Sequence, residues 1–454
     1  MTATALMIVV LAAGKGTRMK SDLPKVLHAV GGRSMLGHVL DLAKAARADR
    51  TAVVVGPGMD DVRQAAFGIA PDIEVFVQKD QHGTADAVKA AATAIAAHTG
   101  DVIVLYADTP LIESATIDRL RATLDAGAAV AVLGFEANDP TGYGRLLTDH
   151  AGALLAIREH KDASEAERRI GLCNSGVIAF RVPDLAGVLA RIGNDNAKGE
   201  YYLTDAVAII RADGGRAAVV SSAETEVLGV NSRVELAEAE AIFQRRRRRK
   251  AMEEGATLIA PETVWFSHDT VVGRDVVIQP NVFFGIGVTV EDGAEILANC
   301  HFEQARIGKG ARVGPFARLR PGAKLAANVH VGNFVEVKNL EMGEGAKANH
   351  LAYLGDGKVG AKANIGAGTI FCNYDGFFKH QTNVGAGAFV GSNCSLVAPV
   401  RIGESAYIGS GSVITKDVAA GSLALERSPQ EERPGWAEKF AIMMRKRKAA
   451  AAKR

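Results

Sequence analysis

"VGAGAFVGSNCSLVAPVRI", residues 384–402, puts an aliphatic side chain at every sixth position: Val384, Val390, Leu396 and Ile402. Ile408 and Ile414 carry the spacing onward. Upstream, Val272, Ile278, Phe284, Val290, Ile296 and Phe302 keep the same interval. After a one-residue slip, Ile307, Val313, Leu319, Leu325, Val331 and Val337 resume it. A period of six suits neither an amphipathic helix nor an alternating strand. It is the signature of a parallel β-helix, in which each unit gives one short strand and a turn and points its aliphatic residue into a shared core. With three units to a coil, residues 272–419 make roughly eight coils stacked about 4.8 Å apart.

Residues 1–231 follow a different rule. "MIVVLAA" (7–13), "TAVVVG" (51–56), "IEVFVQ" (73–78) and "DVIVLYAD" (101–108) are continuous apolar runs, as expected of parallel strands covered on both faces. Helix-like segments such as "MLGHVLDLAKAA" (35–46) and "GTADAVKAAATAIAAH" (83–98) lie between them. The pattern predicts a Rossmann-like α/β domain with its ligands outside the carboxyl ends of the strands. "SRVELAEAEAIFQRRRRRKAMEEG" (232–255) reads as a helical linker ended by Gly255. Its "RRRRRK" reads as a solvated face with glutamate neighbours, or as a nucleic-acid or membrane contact. Residues 256–454 form the β-helix domain, ending in a basic tail expected to be disordered.

Composition bounds the function. The chain has 454 residues, 48% apolar and 23% charged, which suits two or three globular domains. Net charge is +2, but residues 245–250 and 445–454 each hold six cations and no acid. Without those twelve, 41 basic residues face 51 acidic ones, about −10 overall, which argues against a nucleic-acid surface. The four cysteines show no CxxC spacing, so neither a zinc site nor a disulfide framework is expected, in keeping with a cytoplasmic location. "ALMIVVLAA" is short and runs into a polar glycine loop, so it reads as a strand rather than a signal peptide, and no membrane insertion is expected.

That glycine loop, "LAAGKGTRMKSDLPK" (11–25), fits neither the Walker pattern nor the dinucleotide fingerprint. Small residues at a strand end let backbone N–H groups approach an anion, and Lys15, Arg18 and Lys25 add charge. A plain strand–helix turn would use the same residues. The longer string is more specific. "LAAGKGTRM" with "LPK" resembles the signature of sugar-phosphate nucleotidyltransferases. The likeness continues through "QHGTADA" (81–87), "YADTPL" (106–111), "TGYGR" (141–145), "EHKDA" (159–163), "CNSGV" (173–177), "NAKGEYYLTD" (196–205) and "GVNS" (229–232). Joined to "RPGA", "HVGNFVEVK", "HLAYLGD", "NIGAGTIFCNYDG" and "VGSNCSLVAPV", it resembles one family across residues 6–430. These are the bacterial bifunctional N-acetylglucosamine-1-phosphate uridylyltransferases and glucosamine-1-phosphate N-acetyltransferases.

The resemblance implies Mg²⁺-dependent uridylyl transfer from UTP to N-acetylglucosamine 1-phosphate, releasing pyrophosphate. It assigns the ion to Asp108 and Asn231, and the phosphates to Arg18 and Lys25. Leu11, Ala12, Ala13, Gly14, Gln78, Gly83 and Thr84 would hold uridine, and Tyr106, Ala107, Asp108, Gly144, Glu159 and Asn174 the sugar. Position 107 is Ala where the family often has Gly.

In the second half the resemblance implies acetyl transfer from acetyl-CoA to glucosamine 1-phosphate. His350 would be the base, since its ordinary pKa lies near working pH. Arg320, Lys338, Tyr353 and Asn364 would bind the sugar phosphate; Ala367, Asn373, Tyr374, Ser392, Ser410 and Arg427 would bind acetyl-CoA. Asn349 and Ser410 depart from the family pattern. Cys372 and Cys394 raise a competing acetyl-cysteine route, which direct attack by the amine does not need. The family's β-helices are left-handed and trimeric, with acetyltransferase sites between subunits. Two other readings remain: a nucleotidyltransferase whose β-helix only regulates or assembles it, and a nucleic-acid or scaffold protein using the basic stretches.

Overall fold

A computed structural model describes residues 4–150 and 152–452. It separates into two compact units, Met1–Ala251 with Trp265–Asp269, and Met252–Val264 with Thr270–Arg454.

The first unit is an α/β fold. Its strands are β1 (Leu6–Leu11), β2 (Arg50–Val55), β3 (Glu74–Val77), β4 (Asp101–Tyr106), β5 (Val130–Glu136), β6 (Arg145–Thr148), β7 (Leu154–Arg158), β8 (Leu172–Phe180) and β9 (Ala217–Ser222). The sheet runs β9-β5-β8-β4-β1-β2-β3, with β6 paired to β8 and β7 at the side. Strand β8 is antiparallel to β4 and β5, while β1 is parallel to both β2 and β4. Alternate residues of β1 feed opposite cores: Leu6, Ile8 and Val10 one, Met7, Val9 and Leu11 the other. That two-sided burial is why the strand reads as an unbroken apolar run. Strand order reverses between β1 and β4, so the crevice for a ligand opens at their carboxyl ends, after Leu11 and Tyr106.

The helix Arg233–Glu253, expected as a linker with a solvated basic run, also packs one face into the first unit. Ala239 and Ile242 are buried with Val30, Met35, Leu111 and Val230, and Leu236 and Phe243 pack alongside. Spacing of three and four residues places those side chains on one face, a stripe masked in the sequence by the surrounding charges. Arg246, within the basic run, donates to the Leu111 carbonyl at 2.6 Å and pairs with Glu113.

The second unit is a parallel β-helix. One face stacks ten short strands from Thr257–Leu258 to Leu423–Ala424, extending beyond the span read from the periodicity at both ends. Every repeat position named above is buried except Val272, which is half-buried near the first coil. The slip after Phe302 is a shortened coil: Thr289 pairs with Arg306, and Val290 with Ile307. Many corners use left-handed backbone, taken by Asn281, Asn299, Asn328, Asn339 and Asn393 among others. Asparagine tolerates that region better than most residues.

The tail also differs from expectation. Trp436–Ala451 is an exposed helix rather than disordered chain, consistent with its wealth of Ala, Met, Lys and Arg. Lys453 and Arg454 lie outside the described residues. Among the described residues no helix is long and apolar enough to cross a membrane.

Candidate active sites

In the first unit three separate segments converge on one lysine. Pro24 opens a short 3-10 turn, Lys25–Leu27, which turns Lys25 inward until its side chain is only 9% exposed. Lys25 Nζ donates to Asp108 Oδ2 and, at 3.0 Å, to Asn231 Oδ1. Gly16 permits this. Its φ is 63°, and a Cβ there would come within 2.5 Å of Lys25 Cβ.

Asp108 and Asn231 are themselves tied together. The Val230 N–H donates to the Asp108 carbonyl at 2.8 Å. The Asn231 N–H donates to Glu235 Oε2 at 2.7 Å, while Ser232 Oγ accepts from the Glu235 N–H. Helix-start hydrogen bonds thus fix Asn231 opposite the end of β4. One carboxylate and one amide oxygen form a partial hard-oxygen set, and among the described residues no group of three His, Cys, Asp or Glu makes a fuller one. Such a set suits Mg²⁺, which keeps waters and shares substrate phosphates rather than needing an all-protein cage.

A cleft of about 340 Å³ lies beside this pair, lined by Leu11, Ala12, Ala13, Gly14, Lys25, Gln78, Gly83, Thr84, Tyr106 and Asp108 from the sequence reading. Gln78 Nε2 donates to the Gly83 carbonyl at 3.0 Å and to Asp86 at 2.8 Å, and Thr84 Oγ1 accepts from the Leu203 N–H. Desolvation, then the charges of Asp108 and Glu159, hold the Tyr106 phenol well above its ordinary pKa.

Gly144, Glu159 and Asn174 form a neighbouring group outside the cleft lining. The Asn174 N–H donates to the Gly144 carbonyl at 2.8 Å, and a Cβ on Gly144 would meet Glu159 Oε1 at 3.4 Å. Burial raises the Glu159 carboxyl above its ordinary value, against the lowering influence of Lys198 and Thr204. Two expected residues are placed differently. Ala107 is fully buried, with its N–H donated to the Leu11 carbonyl, so it presents no surface. Arg18 is exposed on the turn Thr17–Met19 and does not line the cleft, where Lys15 stands instead.

Gln81 and Glu200 also line the cleft and were missed from sequence. Gln81 Nε2 donates to the Ala13 carbonyl at 2.7 Å from a left-handed backbone at φ 51°, a conformation no local residue pattern announced.

In the second unit, coil stacking assembles the polar groups. His350 is exposed, and its Nδ1 lies 2.6 Å from Asn333 Oδ1, in strict register one coil away. With Nδ1–H donated to that oxygen, Nε2 keeps its lone pair free. Arg320 donates to Glu336 at 2.8 Å. Lys338 faces Asp356, which also accepts from Asn339 and Asn373, and Asn373 Nδ2 reaches Tyr353 Oη at 3.4 Å. Burial opposes ionisation of Asp356, but these hydrogen bonds and the Lys338 charge outweigh it and hold the carboxyl below its ordinary value.

The remaining residues fall in a column along later coils. The Ala367 carbonyl accepts from the Asn393 N–H at 2.7 Å. The Ser392 N–H donates to Ser410 Oγ at 3.2 Å, and Arg427 donates to the Ser410 carbonyl at 2.9 Å. Asn364 lies on the strand Asn364–Ile365 and shares no described side-chain bond with this column or with the Lys338 group. Tyr374 is exposed on the loop that interrupts the repeat after Cys372, its hydroxyl turned to the Gly376 carbonyl. All four cysteines are free, Cys394 buried and Cys372 half-buried. Asn333, Glu336 and Asp356 were missed as partners. Their separations of 16 to 18 residues from His350, Arg320 and Lys338 were a signal available in the repeat itself.

Comparison with known proteins matches both halves. Residues 8–170 match the MobA-like NTP transferase domain, and residues 381–416 match the bacterial transferase hexapeptide (six repeats). A protein of Azorhizobium caulinodans named bifunctional protein GlmU is 59% identical over 437 residues, 96% of this chain and 97% of its own. Proteins of the same name from Xanthobacter autotrophicus and a Bradyrhizobium species are 58% and 56% identical, each over 97% of this chain and 98% of its own.

Proposed function

This chain belongs to the GlmU family of bifunctional proteins, and we propose that each compact unit houses one of its two reactions. The chain is an N-acetyltransferase for glucosamine 1-phosphate and a uridylyltransferase for the product. It uses acetyl-CoA as donor, UTP as the nucleotide and Mg²⁺ as the metal.

Uridylyl transfer takes place beside Lys25, Asp108 and Asn231. A phosphate oxygen of N-acetylglucosamine 1-phosphate attacks the α-phosphorus of UTP, and the bond to pyrophosphate breaks. The nucleophile is already ionised, so no base is needed, and positioning and charge neutralisation carry the step. Mg²⁺ held by Asp108 and Asn231 supplies positive charge to phosphate oxygens. Lys25 and Lys15 add to that field, Leu11–Gly14, Gln78, Gly83 and Thr84 seat the uridine, and Gly144, Glu159 and Asn174 receive the sugar.

Acetyl transfer takes place at His350. Nε2 accepts the proton as the substrate amine attacks the thioester carbonyl, and the CoA thiolate leaves. The Ala367 N–H receives the developing oxyanion. Arg320 and Lys338 bind the sugar phosphate with Tyr353 and Asn364, and Asn373, Tyr374, Ser392, Ser410 and Arg427 hold the CoA. The chain assembles as a trimer through its β-helix and works in the cytoplasm.

The observation that carries the site assignment is the convergence of Lys25, Asp108 and Asn231 from three distant segments at the end of β4. The test is to supply glucosamine 1-phosphate, acetyl-CoA, UTP and Mg²⁺, and to follow free thiol and UDP-N-acetylglucosamine. Both should appear, with thiol first. Thiol without the nucleotide sugar, or a nucleotide sugar made only from added N-acetylglucosamine 1-phosphate, would leave one activity standing.

A further inference from the structure

We infer that Lys25 holds the place of the divalent ion, so that the metal binds only once a triphosphate has drawn the lysine away. The inference rests on reading Asp108 and Asn231 as the metal pair. Lys25 Nζ donates to one oxygen of each, so both donor atoms are already committed to a cation.

Sharing is unfavourable. An ammonium and a divalent ion sharing two oxygens repel more strongly the less water lies between them, and here the lysine is 9% exposed and the carboxylate 20%. A lone Asp108 carboxylate in that position would also be costly to leave unpaired. The lysine therefore stabilises the resting site and excludes the ion by the same contact.

Release has a route. Lysine is a compact charge on a flexible stem, and Lys25 itself lines the cleft beside Gly14, where a Cβ would already stand at contact distance, 3.9 Å from Nζ. A triphosphate arriving there offers Nζ oxygens of higher charge than Asn231 can. As Nζ moves onto the phosphate, Asp108 and Asn231 become available to the metal. Metal and nucleotide then bind cooperatively, by exchange of one cation for another.

The test uses the full-length protein and Mn²⁺ as the probe, with free Mn²⁺ read by electron paramagnetic resonance. Wild type, Lys25→Met, Lys15→Met and Asp108→Asn are titrated with Mn²⁺ alone and with UTP. Without nucleotide, Lys25→Met should bind one Mn²⁺ about tenfold or more tightly than wild type, while Lys15→Met, which removes a nearby charge without freeing the pair, should change affinity about threefold or less. Lys25→Gln repeats the measurement should the methionine variant fold poorly by circular dichroism. Equal affinity in wild type and Lys25→Met, or an equal gain in Lys15→Met, overturns the inference. The metal assignment is tested separately: with UTP, wild type should take up an ion that Asp108→Asn does not. Uptake by Asp108→Asn would overturn that reading instead.

Discussion

Asn333 and His350 stand one coil apart in the β-helix, with Asn333 Oδ1 2.6 Å from His350 Nδ1. That bond fixes which ring nitrogen holds the proton and which is left as the base. Asn333→Ala should lower kcat for acetyl transfer about tenfold or more, with little change in KM for acetyl-CoA. Asn333→Asp should restore rate but move the acidic limb of the pH profile to higher pH, because a carboxylate stabilises the imidazolium. Equal kcat in all three proteins would show the contact to be incidental.

Burial raises the Glu159 carboxyl above its ordinary value of 4.5. The folded chain therefore holds this proton more tightly than the unfolded chain. Stability falls as pH rises from the unfolded value through the raised folded one. Glu159→Gln should raise Tm at pH 7.5 and leave it unchanged near pH 4, while weakening binding of N-acetylglucosamine 1-phosphate. A lower Tm at pH 7.5 would mean that Glu159 stabilises the fold as an anion.

Gly332 lies where a Cβ would meet the Asn349 backbone oxygen at 1.9 Å. Gly332→Ala should push apart the coils that carry Asn333 and His350, costing about 1–3 kcal/mol by overpacking. Acetyl transfer should fall with stability, and uridylyl transfer should persist. Wild-type acetyl transfer in this variant would contradict the close stacking.

The acetyl-cysteine route has a direct check. His350 bonds Asn333 rather than a thiol, and Cys394 Sγ is buried against the Gly409 carbonyl at 3.4 Å. Cys372→Ala with Cys394→Ala should keep turnover near wild type. Loss of acetyl transfer with an unchanged melting curve would favour a covalent intermediate.

The two architectures were legible because each has its own period. Every sixth residue from Ile278 to Phe302 is buried, and β1 reads as unbroken apolar sequence because both its faces are covered. What was lost depended on masking or geometry. The packed face of Arg233–Glu253 is hidden among charges, and the helix Trp436–Ala451 looks like low-complexity tail. The expected residues Leu11–Gly14, Gln78, Gly83, Thr84 and Asp108 stood in short strings that resemble a family's motifs, and the structure brings them to one cleft. Their partners were missed. Asn333 and Asp356 act across coils, and Gln81 reaches Ala13 only through an uncommon backbone angle. Arg18, assigned to the phosphates by the resemblance alone, stands in solvent on the turn Thr17–Met19, outside the cleft lining.

The central claim is that two independent sites, at Asp108 and at His350, carry the two reactions. Its most direct test assays both half-reactions in Asp108→Asn and in His350→Ala, following CoA thiol and pyrophosphate. Asp108→Asn should release thiol at the wild-type rate and no pyrophosphate, and His350→Ala should do the reverse. Loss of both products in either variant, or of neither, would contradict the account.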